Sequence, residues 1–157
     1  MDKAEKVGIS FGLTSASITT LGLIIGLETG TGSRLAVAAG IMTIAIADAF
    51  SDSLGVHLVK ESEGNFSHQE IWKATGYTFV AKLVFGLSFL VPVLALPMPW
   101  ALVVAVGWGI LILVLLNYYI AKVNGKKPFN MIAEHLSIAL LVLALSWLAG
   151  RLIGLLT

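Results

Sequence analysis

An all-α, polytopic membrane bundle of five transmembrane helices is the fold class this chain predicts, and three observations carry the prediction. Hydrophobic residues make up 57% of the chain and charged residues only 12%, about half the charge of a soluble domain. The mean hydropathy is +0.93. The apolar residues gather into five segments, each meeting the ~20 residues that a bilayer core requires. The 157 residues read as a single transmembrane domain.

The first span covers residues 7–27. Asp2, Lys3, Glu5 and Lys6 precede it, and Ala36-Val37-Ala38 bears a faint likeness to a cleavage site. The apolar run is too long for a signal peptide and is interrupted from Gly30 to Arg34, so it reads as a retained span. It is rich in small and hydroxyl residues. Gly8/Gly12 and Gly22/Gly26 are small-xxx-small pairs that let helices approach closely. The hydroxyls of Thr14, Ser15 and Ser17 fit either packing or a polar path. Glu28 and the turn at 29–33 end the span.

The second span, 35–59, carries Asp48 and Asp52, and a short polar stretch follows it (Lys60, Glu61, Glu63, Gly64, Asn65, His68, Glu70). The third, 71–96, contains Lys82 and meets Pro92, Pro97 and Pro99 at its end. The fourth, 100–121, begins with Trp100 and ends at Tyr118-Tyr119, the aromatic residues favoured at membrane interfaces. Asn124-Gly125 and Pro128 mark a turn. The fifth, 130–156, starts near Glu134 and His135 and ends near Arg151. With the N-terminus inside, the inner segments hold Lys3, Lys6, Lys60, Lys73, Lys122, Lys126 and Lys127. The outer ones hold only Arg34, with Arg151 near the outer C-terminal end. The bias predicts a cytoplasmic N-terminus and an outer C-terminus.

Composition also excludes. The net charge is +1 and the basic residues form no stripe, so nothing points to nucleic acid. The absence of cysteine removes disulfides and thiolate metal sites. No zinc-protease, nucleophile-elbow or phosphate-loop motif is present. The Asp48-x-x-x-Asp52 pair alone suggests an aspartate dyad, but no other enzyme-like feature accompanies it, and the expectation is that the protein is not an enzyme.

The chemistry gathers in residues 45–60. Asp48 and Asp52 are four residues apart and share one helical stripe with Ser51 and Gly55. Each carboxylate costs roughly 2.5–3.5 kcal/mol near the centre of an inserted helix, so each needs a partner. At 1.5 Å per residue, Asp52 lies about 12 Å and Asp48 about 18 Å from the end of span two at Lys60. Lys82 lies about 14 Å from Lys73, so depth permits it to meet either aspartate. Two readings stay open, and a third, snorkelling of Lys82 to the interface, is weaker because the residue lies deep. One is a structural ion pair joining spans two and three. The other is a cation or proton site, because two carboxylates against one ammonium leave a surplus negative charge. His57, about 140° round the helix from Asp52, reads as a packing or interfacial residue. Glu61, Glu63, His68 and Glu70 make an acidic patch that fits a solvated loop or a cation entry. Glu134 and His135 fit a helix N-terminus or the border of the same vestibule. Met42 and Met131 read as lipid-facing or packing residues and not as ligands.

Several of these segments resemble one family. Gly12-Leu13-Thr14 with Gly22-Leu23, Ser51-Asp52-Ser53-Leu54-Gly55-Val56-His57, Trp72-Lys73-Ala74 leading to Phe85-Gly86 and Pro92, and Gly125, Pro128 and Gly150-Arg151-Leu152-Ile153-Gly154 are similar in order and spacing to the vacuolar iron transporter (VIT) family of divalent-cation/proton exchangers. The resemblance implies a VIT-like bundle, a homodimer with a pathway near helices one and two, and traffic of a divalent cation against protons. Phe11, Asp52 and Val56 stand where that family has an aspartate, a methionine and a glutamate, and its cytoplasmic metal-binding domain is missing. The family's iron ligands therefore do not carry over. Aspartate in place of methionine favours harder cations.

The resulting expectation is a multi-pass transporter of a divalent metal cation, of iron or manganese type, with no tightly bound cofactor. Asp48 and Asp52 bind the metal, Thr14, Ser15, Ser51 and Lys82 line or gate the pathway, and Glu61, Glu63, His68, Glu70 and Glu134 border its entry. The alternative is a non-transporting scaffold or assembly subunit in which the Asp–Lys82 pair is structural.

Overall fold

The computed structural model describes residues 2–156. Six helices account for almost all of them: α1 (Lys3–Thr31), α2 (Arg34–Glu63), α3 (His68–Ser88), α4 (Leu90–Ala95), α5 (Met98–Val123) and α6 (Pro128–Gly154). Because α4 continues α3 after a break, these make five helices long and apolar enough to cross a membrane.

The helices outrun the apolar segments at several ends because capping, not hydropathy, sets where they stop. Asp2 and Glu5 form a capping box that starts α1 before the first apolar residue. The backbone N–H of Glu5, seconded by Lys73, holds the Asp2 carboxyl below its ordinary range. Gly32, in the left-handed conformation at φ 58°, closes α1, and Ser33 caps α2 directly afterwards. Gly64, also left-handed, ends α2, so Glu61 and Glu63 lie in its last turn and not in a loop. Ser67 and Glu70 form a second capping box at the start of α3.

The third span is interrupted. Pro92 lacks an N–H and its ring crowds the carbonyl four residues back, at Ser88. The helix breaks at Phe89 and resumes as α4. Arg34, at the start of α2, clasps the exposed end of α4. Its Nε donates to the Val93 carbonyl at 2.7 Å and its Nη2 to those of Leu94, at 3.3 Å, and Leu96.

The connectivity is up-and-down, with α1 at the centre. On one flank Gly8 and Gly12 lie against α3, so closely that a Cβ on Gly8 would come within 2.6 Å of the Ala74 carbonyl oxygen. On the other, Gly22 meets Ser146 and Gly30 meets Gly150 of α6. The two small-xxx-small pairs thus seat α1 on different neighbours. Leu21, Ile24, Val37, Ile41, Phe85 and Phe89 form the main core. A smaller cluster of Ala4, Val56 and Ala74 lies at the other end. Every lysine except Lys82 falls at that second end. Outward faces are largely apolar, with Leu140, Leu141, Leu145, Leu148 and Leu152 of α6 exposed. Such a surface suits lipid rather than water as its solvent.

Candidate functional site

The polar layer between the two clusters centres on Lys82. Its partners are delivered by small residues on α2 and α3. Ala45 and Ala49 are buried on α2, and Gly86 of α3 packs so tightly on Ala45 that an added Cβ would sit 3.1 Å from the alanine methyl. The close approach brings Lys82, one turn before Gly86, against the aspartate stripe of α2.

The Lys82 side chain is 2% exposed. Its Nζ lies 3.0 Å from Asp48 Oδ2, pairs with Asp52 Oδ2, and donates to Ser15 Oγ at 2.7 Å. Ser15 in turn donates to Asp52 Oδ2 at 2.7 Å. An ammonium carries three donors, and here three oxygens surround it. The two carboxylates are less enclosed, at 27% for Asp48 and 24% for Asp52. The ammonium is therefore the inner group and the carboxylates the outer ones, and the formal charge of the cluster is −1 with all three ionised.

Asp52 opens onto a groove of about 500 Å³ between α1 and α2. Phe11, Ser51 and Gly55 line it, and it continues to Lys60 at the lysine-rich end. Phe11 forms an apolar wall at the position where the resemblance sets an aspartate. Ser51 also borders a second groove between α2 and α3.

The other candidate residues are dispersed. Thr14 makes no side-chain hydrogen bond to the cluster, although its neighbour Ser15 does. Glu63 pairs with Lys60 at 2.8 Å. His68 accepts from Trp72 Nε1 at 3.1 Å. Glu70 is spent on capping Ser67. Glu61 is exposed. Glu134 lies with Lys126, Lys127 and His135 in a crevice that shares no lining residue with the Asp52 groove. His57 sits 3.0 Å from Thr75 Oγ1, with its ring edge-on to Trp72. Among the described residues, no three His, Asp or Glu side chains converge as a metal-binding group. A cation held by Asp48 and Asp52 would need neutral oxygens beside them.

Two features were not anticipated. One is the Arg34 clasp, which joins residues about sixty positions apart and has no local signature. The other is Glu28, whose buried Oε2 has no hydrogen-bond partner among the described residues. Its polarity in an apolar run was the only available signal. No protein-family model, curated protein or solved structure matches the chain.

Proposed function

We propose that the protein is a multi-pass membrane transporter that exchanges a cation for protons, with Asp48 and Asp52 as its binding carboxylates and Lys82 as their internal counter-cation. The observation that carries the reading is the −1 cluster, with Asp52 lining a groove, Asp48 partly exposed beside it and the ammonium sealed behind both. In the resting arrangement Lys82 fills the place of the transported ion. A divalent cation entering along the groove competes for the same oxygens. Loss of one proton from Lys82 frees both carboxylates, and the loaded cluster, two carboxylates with a divalent ion and a neutral amine, has no net charge. Proton release is then linked to cation uptake because the ion and the ammonium cannot share the carboxylates. Oxygen donors favour hard ions of the manganese or iron(II) type, and the resemblance to the vacuolar iron transporter family supports the same class.

The reading includes a homodimer with its N-termini on the cytoplasmic side. Carboxylates a quarter exposed at mid-depth are poorly tolerated by lipid. Beside them runs an exposed stripe of small residues at successive i+4 positions of α2: Ala39, Thr43, Ala47, Ser51 and Gly55. A second copy seated on this stripe covers the carboxylates and encloses the groove.

A second reading is a scaffold subunit in which the cluster only joins α1, α2 and α3. The complete satisfaction of the Lys82 ammonium favours it. Uptake of manganese(II) or iron(II) into proteoliposomes under a pH gradient separates the two. Transport that Asp48→Asn with Asp52→Asn abolishes supports exchange. A folded wild type that moves neither ion under any gradient leaves the scaffold.

A further inference from the structure

A crevice of about 260 Å³ opens between the first turns of α1 and the last turns of α5, away from the Lys82 cluster. Its wall is apolar, formed by Val7, Ile120 and Val123, and its rim is cationic, carrying Lys3 and Lys6. Ser10, Tyr119 and Asn124 complete it, and none of their side chains hydrogen-bonds to a protein group among the described residues.

Among the described residues no carboxylate forms a salt bridge with either rim lysine. Lys6 has no ion-pair partner among the described residues, and Lys3 lies over the Phe66 ring, 4.7 Å from its centroid, within electrostatic reach of Glu70. The nearby carboxylates face α3 instead: Asp2 pairs with Lys73 at 3.4 Å and Glu5 accepts from Tyr77 at 3.2 Å. Lys122, Lys126 and Lys127 add positive charge at the same end of the bundle.

We infer that this crevice binds an anionic phospholipid. The arrangement is amphipathic along the membrane normal: cations and free hydroxyl and amide groups lie at the helix ends, at headgroup level, and an apolar wall runs inward, where an acyl chain lies. A phosphodiester meets Lys3 and Lys6, Ser10 and Tyr119 donate to its oxygens, and the upper chain packs on Val7, Ile120 and Val123. A zwitterionic lipid offers the same chains, but its own cation competes with the lysines.

Native mass spectrometry of the full chain, released from micelles carrying equal phosphatidylglycerol and phosphatidylcholine, reads retention directly. The expected result is preferential retention of phosphatidylglycerol, falling about fivefold for each of Lys3→Gln and Lys6→Gln, the weight of one lysine at an anionic surface. Lys6→Arg keeps retention, and Lys126→Gln with Lys127→Gln lowers it less than Lys6→Gln does. Equal retention of both lipids overturns the inference. So does displacement of the lipid by glycerol phosphate at equal concentration, which marks a free-anion site, and so does equal loss in the loop variant, which marks diffuse charge. If Lys3→Gln does not fold, Lys6→Gln alone decides, since that side chain has no ion-pair partner among the described residues to lose.

Discussion

Lys82 and Asp48 stand 3.0 Å apart on different helices, Nζ to Oδ2, with the ammonium buried and the carboxylate open on one side. The order matters: the cation is fixed at the back of the cluster, Asp52 lines the groove and Asp48 is partly exposed beside it. A lysine placed outside would shield the carboxylates from an entering ion. Placed behind them, it holds the oxygens in position and leaves their front edge approachable.

Lys82→Ala leaves two carboxylates facing one another with no counter-charge. Breaking a buried pair costs 3–5 kcal/mol as a general range, and the partial exposure of both aspartates puts the expected loss near the low end, about 3 kcal/mol. The combined variant Lys82→Met, Asp48→Asn, Asp52→Asn recovers most of it, because no charge is left unpaired. Unfolding in a mild detergent, followed by the near-ultraviolet signal of the tryptophans, measures both.

Asp52 and Asp48 are unequal. Asp52 takes the serine hydrogen bond as well as the ion pair, whereas Asp48 has the ion pair alone. Asp52→Asn therefore destabilises more than Asp48→Asn. Ser15→Ala costs about 1 kcal/mol, the net worth of one hydrogen bond. Under the proposed exchange, either asparagine lowers initial manganese(II) uptake about tenfold or more.

Arg34→Gln removes the clasp on α4 and leaves carbonyl groups of Val93 and Leu96 without their charged donor. The expected cost is about 1.5–3 kcal/mol. Hydrogen exchange localises it: protection falls across residues 89–96 and is unchanged in α6.

The glycines divide into two classes. Gly8→Ala drives a methyl against the backbone of α3 and costs about 1–3 kcal/mol as overpacking. Gly76 and Gly55 have open space where a Cβ would project, so alanine at either leaves the monomer stable. Gly55→Leu, on the exposed stripe of α2, is expected to disrupt the proposed dimer and spare the monomer fold. Light scattering of the detergent complex distinguishes the outcomes.

What could be read from residues alone follows the cost of misplacing them. Five apolar runs have no soluble alternative, so the long helices were legible. Charged groups inside those runs must find one another, so counting residues from each helix end was enough to suggest the meeting of Lys82 with Asp48 and Asp52. The helix ends were less legible: residues 28–31 and 60–63 look like loop by polarity, yet Gly32 and Gly64 set where the helices stop. The break at Phe89 was half visible, since Pro92 announces a disruption but not which residue absorbs it. The acidic stretch from Glu61 to Glu70 reads as one patch in sequence. Glu63, His68 and Glu70 turn to separate local partners because each sits at a capping position or within a turn of a lysine or tryptophan, while Glu61 stays exposed. The Arg34 clasp depends on where α4 ends in space, and no pattern near Arg34 encodes that.

The Lys82 cluster also bears on how the chain enters its membrane. As α2 emerges during synthesis it carries two aspartates and no counter-charge, a burden of roughly 5–7 kcal/mol if it were released into lipid alone. The lysine that relieves it lies about thirty residues later, in α3. The second and third spans are thus suited to leave the insertion machinery as one hairpin, with the ion pair closed before either meets hydrocarbon. A stop placed between α2 and α3 would hold the nascent chain at an aqueous interface, and the longer chain that includes Lys82 would pass.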